Sequence, residues 1–378
     1  MAGIVRVALV VPLSGTLGLI GPGAVNCAAL AAREINEAGG ILGRAVELRL
    51  VDGGRPALEV AIELRTLVRR GEAQAVVGVH SSDVRVALVS ALGAAVPYVY
   101  TPPYEGGERA PGVYLAGETP DRQVRPVLRW LAERNRGSRW FLLGNDYVWP
   151  RRVSAAARDY LRALGAGVVA ERYVPRGRLD VEPLLAAIAA TRADAVLLTL
   201  IGTDLVEFNR AFAGSALAQR VLRLCPALEE NGLLGVGGDA TGELYSTMGY
   251  FASIATDAGL DFVGRYAARF GPLAPVPGGH GEGCYDGMWL LAALASRAGS
   301  LATPALDAIC DGTVVDGGRG RAVMRGRPPA GAGLPRPGRG PRSRRGRGLL
   351  TLPSATFSDS RIDDTVRIRR SPEPSTSE

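Results

Sequence analysis

Imidazole is scarce in this chain, which has only two histidines, His80 and His280. No serine sits in a G-x-S-x-G turn, so a Ser/His/Asp or Cys/His relay has little to be built from, and no enzyme is expected. Cys27, Cys225, Cys284 and Cys310 form no C-x-x-C pair and have no close histidine. They read as buried, reduced thiols, and neither a zinc site nor any cofactor is expected. What is left suits holding a small polar molecule rather than transforming it. Ser82, Tyr100, Thr101 and Tyr147 each follow an apolar, strand-like run, and in open α/β sheets a ligand sits beyond the carboxyl ends of the strands. Helices begin at the same places, so backbone N–H groups together with the Ser82 hydroxyl could hold a carboxylate or amide oxygen. Glu229 and Glu230 are adjacent and make no acid/base pair by sequence alone. Glu230, after the run at 222–225, could accept from an ammonium or amide nitrogen. Plainer roles compete at each position: a helix cap for Ser82, packing for the two tyrosines, a salt bridge for Glu230. His80 reads as a polar neighbour of the cap, and the glycine cluster at 235–242 lacks G-x-G-x-x-G order and reads as a loop.

The elements that must position these groups alternate along the chain. VRVALVV runs into the loop PLSG at 12–15, and a helix follows in which Val25, Ala28, Ala29, Ala32 and Ile35 share one face while Arg33, Glu34 and Glu37 take the other. Gly39 and Gly40 end it, because glycine takes φ > 0 at little cost. Residues 46–52 alternate like a strand, 57–69 place Leu58, Ala61, Leu64 and Val68 on one helical face, and 75–79 form the unbroken apolar run of a strand covered on both sides. Ser81 or Ser82 caps a helix to about Leu92, and 96–100 is the next strand. After a crossover at 114–117 the rhythm restarts: Thr119 and Pro120 open a helix, and strands at 140–143, 168–174 and 195–200 alternate with helices. An extended segment at 245–254 and helices near 257–270 and 284–297 return to the first series.

These segments carry a resemblance. The opening block, YTPPYEGGERAPGVYLAG at 100–117, GNDYVWPR at 144–151, IGTDLVEFNRA, ALEEN and YFASI together resemble the type I periplasmic (Leu/Ile/Val-binding-like) solute-binding proteins, over about 5–323. Within that family they look like the branch that binds urea and short amides, which includes the cytoplasmic amide sensor of amidase operons. The resemblance implies an α/β fold of two Rossmann-like lobes with parallel sheets, joined by a three-crossing hinge, plus an irregular C-terminal tail. It places lobe 1 at 5–118 and 253–312, lobe 2 at 119–252 and 313–326, and the third crossing near 314–323. It also places the Ser14 loop at the ligand cleft, which makes Ser14, Ser82, Tyr100, Thr101, Tyr147 and Glu230 the candidate ligand contacts. In the amide branch a threonine stands two residues after the first tyrosine, where this chain has Pro102. The implied function is capture of a small polar solute (amide, urea or branched-chain amino acid) by closure of two lobes. The implied partner is an ABC permease, through which alone the protein would meet a membrane, or else a cytoplasmic regulator.

Charge separates the chain into two parts. All 44 basic residues are arginine, the signature of a GC-rich coding sequence. Residues 317–378 hold 14 arginines against 5 acidic residues, whereas 1–316 hold 30 against 32, so the near-neutral body suggests no nucleic-acid surface. From 327 to 378 the chain is an Arg/Pro/Gly-rich tail without apolar periodicity. Three readings of it stand: ordinary disorder, an arginine-rich arm for nucleic acid or anionic lipid, and a shifted reading frame. The first strand begins within five residues of Met1, so as written the chain is expected to be cytoplasmic, or periplasmic or cell-surface if the true start lies upstream.

Overall fold

The computed structural model describes residues 3–325 and, for the backbone, Leu349–Thr351 and Thr365–Ile368. The three readings of the tail fall mostly on 326–348, 352–364 and 369–378, outside the described residues. The described chain divides into two compact units, one built from Met1–Glu118 with the segment that starts at Tyr250, the other from Thr119–Gly249.

Unit 1 begins with β1 (Ile4–Val11), α1 (Gly21–Glu37), β2 (Ala45–Asp52), α2 (Ala57–Arg69), β3 (Ala75–Gly78), α3 (Ser82–Leu92), β4 (Tyr98–Tyr100) and β5 (Val113–Leu115). The strands run parallel in the order β2-β1-β3-β4-β5. Both faces of this sheet are covered, which is why its strands are continuously apolar. Val7, Leu9 and Val11 point into one core, and Ala8 and Val10 point into another with α2 and α3 residues such as Val60, Leu64 and Leu88. The stop after α1 uses its glycines as the sequence suggests, with φ of 100° at Gly39 and 77° at Gly40.

Unit 2 repeats the plan. It contains α4 (Pro120–Ala132), β6 (Arg139–Asn145), α5 (Val148–Ala163), β7 (Gly167–Val174), α6 (Val181–Ala190), β8 (Ala195–Thr199), α7 (Gly202–Ala213), β9 (Leu222–Cys225), α8 (Glu230–Val236) and β10 (Leu244–Thr247). Its parallel order β7-β6-β8-β9-β10 matches that of unit 1 strand for strand. In each sheet the order reverses next to the first strand, between β1 and β3 and between β6 and β8. A loop on either side of such a point turns away from its neighbour, which leaves a crevice at the carboxyl ends.

The chain re-enters unit 1 at Tyr250 and adds α9 (Asp257–Phe270), α10 (Gly279–Ala298), α11 (Thr303–Ile309), β11 (Val314–Gly317) and β12 (Gly320–Arg325). Here the expected boundaries need correction, because residues 313–325 do not run into the second unit. β11 and β12 form an antiparallel hairpin against α10, with Val315 and Met324 in the same core as Leu290 and Leu291. Charge fixes this placement. Glu282 and Asp286 of α10 are buried acids, and Arg319 at the hairpin turn donates to Glu282 Oε2 at 2.6 Å and to Glu118 Oε1 at 2.7 Å, while the Gly318 N–H donates to Asp286 Oδ1 at 2.7 Å. A buried carboxylate without such partners would be costly, so the hairpin belongs where its arginine is needed. β13 (Leu349–Thr351) joins the same sheet as β11 and β12, and β14 (Thr365–Ile368) joins the second sheet, so the third crossing does not lie near 314–323.

Candidate functional site

In unit 1 the loops after β1, β2 and β3 meet at the reversal point. Asp52, the last residue of β2, accepts from the Leu13 and Gly54 N–H groups through Oδ1, each at 2.8 Å, and from the Ser14 hydroxyl through Oδ2 at 2.6 Å. Those hydrogen bonds outweigh partial burial and hold the Asp52 carboxyl below its ordinary range. Gly54 is required here, because a Cβ would come within 2.0 Å of the Ser14 carbonyl oxygen. Ser14 itself is exposed.

Beyond β3 lies a buried polar cluster. His80 is neutral and holds partners at both ring nitrogens: Nδ1 is 3.1 Å from the Ser81 carbonyl oxygen, and Nε2 is 2.9 Å from the Tyr98 hydroxyl. Burial, assisted by the nearby Arg85 charge, brings its pKa down to about 4. Tyr100 donates to the His80 carbonyl at 2.8 Å, and burial pushes its phenol well up. Ser82 opens α3 as its first residue and its hydroxyl donates to Glu105 Oε2 at 2.8 Å instead of capping the helix. Arg85, one turn on, binds Glu105 at 2.5 Å and also Glu108. Burial pulls this guanidinium down, but the two carboxylates outweigh it and the net shift is upward. Thr101 lies under α10: its hydroxyl donates to the Gly78 carbonyl at 3.2 Å, and a Cβ on Gly287 would come within 2.6 Å of its methyl group.

Unit 2 clasps its own reversal point with a different pair. Asn145 at the end of β6 donates to Asp204 Oδ2 at 2.7 Å and accepts from the Ile201 N–H at 2.9 Å, tying the β6 and β8 loops together. Tyr147 is half-buried just before α5, its ring stacked on Trp149 at 6.5 Å, with the Arg176 guanidinium 4.9 Å from its face. Glu230 begins α8 and is half-buried, whereas Glu229 before it is 3% exposed. Oε2 of Glu229 accepts from the Asn231 side chain at 3.0 Å, while Oε1 accepts no hydrogen bond. Burial, then the charge of Glu230, raises the Glu229 pKa to about 7.

Ser14 thus stands exposed on the loop after β1, whereas Ser82 at the start of α3, Tyr100 and Thr101 are buried, and Tyr147 just before α5 and Glu230 at the start of α8 are half-buried. Sequence reasoning passed over Asp52, Arg85, Glu105, Glu108, Asn145 and Asp204, and of the adjacent pair Glu229 and Glu230 it chose Glu230. Arg85 left a trace: it shares a helical stripe with Ser82, Leu88 and Leu92, and a cation on a buried face announces a buried anion. Glu105 and Glu108 left none, since their loop has no period. Among the described residues no group of His, Cys, Asp and Glu side chains could hold a metal ion, and no helix is long and apolar enough to cross a membrane.

Residues 4–332 match a family model described as periplasmic binding protein. Among solved structures, the chain is similar to a solute-binding protein of an ABC transporter from Rhodopseudomonas palustris HaA2 in complex with p-hydroxybenzoic acid, with a TM-score of 0.74 and 19% identity over 85% of this chain and 88% of that one. It is also similar to an ABC transporter substrate-binding protein from Sphaerobacter thermophilus, with a TM-score of 0.69 and 24% identity over 85% and 89%. A third is the branched-chain amino acid transporter substrate-binding protein LivJ from Streptococcus pneumoniae in complex with isoleucine, with a TM-score of 0.73 and 18% identity over 85% and 92%. At such identities the fold is what is shared.

Proposed function

This chain belongs to the periplasmic binding protein family, and from that premise we propose that it is a noncatalytic receptor which captures a small polar solute and presents it to an ABC permease. Short amides, urea and branched-chain amino acids form the candidate class. One observation carries the reading: beside the unit 1 reversal point two serine hydroxyls, Ser14 on the loop after β1 and Ser82 at the start of α3, are each fixed by a carboxylate. Prearranged polar groups of this kind fix the orientation of a ligand without loss of side-chain entropy on binding. Chemistry is disfavoured at the same place, because both nitrogens of His80 already have partners and neither faces Ser82 as a base. The neighbours solved with p-hydroxybenzoic acid and with isoleucine support a small solute as the class of ligand.

Calorimetry of the folded protein against acetamide, urea and leucine tests this: at least one should bind and come back unchanged. Tyr147→Ala and Glu230→Ala should each weaken that binding at least tenfold, about 1.4 kcal/mol. Small-angle scattering should show a smaller radius of gyration with the solute than without it. No heat from any of these solutes, or their conversion to product, would end the proposal.

A further inference from the structure

We infer that unit 1 carries a second binding site, an apolar pocket at the amino-terminal ends of β4 and β5, and that it takes one small uncharged aromatic ring with a short alkyl group, of the ethylbenzene class. The pocket holds about 200 Å³. Its walls come from Val89 and Leu92 on the last turns of α3, from Val96 and Tyr98 at the entry to β4, and from Ala110 and Val113 at the entry to β5. The polar cluster around Ser82 and Tyr100 stands at the other ends of the same elements, since Ser82 opens α3 and Tyr100 closes β4. With 11 residues in α3, at about 1.5 Å each, the two places are about 16 Å apart along that helix. The pocket is thus separate from the crevice at the carboxyl ends, and its occupant does not depend on the receptor reading.

Polarity decides what the pocket holds. No charged side chain lines it, and the hydroxyl of Tyr98, the one polar side chain among its walls, is committed to His80 Nε2 at 2.9 Å. The backbone of the walls is occupied as well: the carbonyl oxygens of Val89, Ala110 and Gly112 accept from the N–H groups of Gly93, Val113 and Tyr98. A water molecule here would find few of the roughly two to four polar partners that a buried water takes, whereas an apolar cavity of about 150 Å³ stays dry and binds benzene. The larger volume of this one leaves room for a short alkyl group on the ring. Leu92, Tyr98 and Val113 are buried, but Val89, Val96 and Ala110 are only half-buried, so an occupant covers apolar surface that folding leaves partly in water. The gap persists because Gly93 and Ala94, which turn the chain from α3 toward β4, take left-handed backbone with φ of 51° and 66°. A bulky side chain that could fill the space from that turn would be strained there.

Ethylbenzene titrated into the full chain tests this by calorimetry, with folding checked by circular dichroism. Saturable binding of one molecule per chain is expected, and an excess of acetamide, urea or leucine should not displace it. Val96→Phe and Ala110→Leu fill the space from two different walls, and each should weaken ethylbenzene about tenfold or more. Ala110→Leu alters only a half-buried side chain on a loop, so the test stands even where Val96→Phe fails to fold. Tyr98→Phe keeps the ring and removes only the hydroxyl, and affinity should stay within about twofold. The inference is overturned by any one of these results: no saturable binding to the folded chain, displacement by the polar solutes, unchanged affinity in the filled variants, or a loss in Tyr98→Phe as large as theirs. Binding of ethylbenzene as described, with no heat from the polar solutes, would remove the receptor reading and leave this one in place.

Discussion

In unit 1 the buried guanidinium of Arg85 meets two carboxylates, Glu105 and Glu108, whereas in unit 2 that of Arg223 meets only the carbonyl oxygens of Asn209, Ala240 and Gly242 and the Asn209 side chain. Both side chains are almost wholly out of water, at 3% and 0% exposure. Their proton affinities nevertheless move in opposite directions. Burial is the largest influence on each and favours the neutral form, but Arg85 has anions that outweigh it, while Arg223, with carbonyl dipoles and the face of Phe212 at 4.6 Å, falls to about 10. The acids follow the same division: Asp52 in unit 1 is held ionised by its donors, and Glu229 in unit 2 is left with an oxygen that accepts nothing. At these positions unit 1 pairs a buried charge with opposite charge or with several donors, and unit 2 does not.

The largest test of this contrast is Arg85→Met. It strands two buried carboxylates and should cost about 3–5 kcal/mol in denaturant unfolding, with most of the loss recovered when Glu105→Gln and Glu108→Gln are added. A cost below about 1 kcal/mol would mean that the unit 1 charges are not truly coupled.

Next in size is a pair of opposed pH slopes. Glu229 has a folded pKa raised from 4.5 to about 7, so its contribution to stability is complete below 4.5 and is lost as pH rises through 7. His80 has a folded pKa lowered from 6.5 to about 4, so its contribution is complete above 6.5 and is lost as pH falls through 4. Each slope is worth on the order of 3–4 kcal/mol, about 2.5 pKa units at about 1.4 kcal/mol per unit. Glu229→Gln should flatten the alkaline decline and His80→Gln the acid one, as read from unfolding free energies between pH 4 and 8. The contrast breaks if either substitution leaves its own limb unchanged. The smallest effect expected is that of Arg223→Met, about 2 kcal/mol at pH 7, since it leaves carbonyl groups without a donor but no charge without a partner. A penalty larger than that of Arg85→Met would invert the comparison.

How far the site was legible in the sequence depended on how local its signals were. Ser82 and Tyr147 were found because each lies where a strand gives way to a helix, a junction written in a few consecutive residues. Glu230 was singled out although its neighbour Glu229 is the more deeply buried, because adjacency says nothing about which carboxylate a fold turns inward. Nor could the hairpin at 313–325 be placed from its own residues: its anchors, Glu282 and Asp286, lie 37 and 32 positions away from Arg319 and Gly318.

By itself the sequence determined the order of strands and helices, the two repeated series and the strand-to-helix junctions that carry Ser82 and Tyr147. Those follow from spacings of two and 3.6 residues and from glycine and proline at the breaks, all of which act over a single turn or strand. Tertiary structure alone decided which buried charges are paired, which unit holds the last hairpin, and in which direction each serine commits its proton. Those outcomes depend on partners brought together across the chain, such as Ser14 with Asp52 and Ser82 with Glu105, and a proton goes to whichever acceptor the finished fold puts within reach.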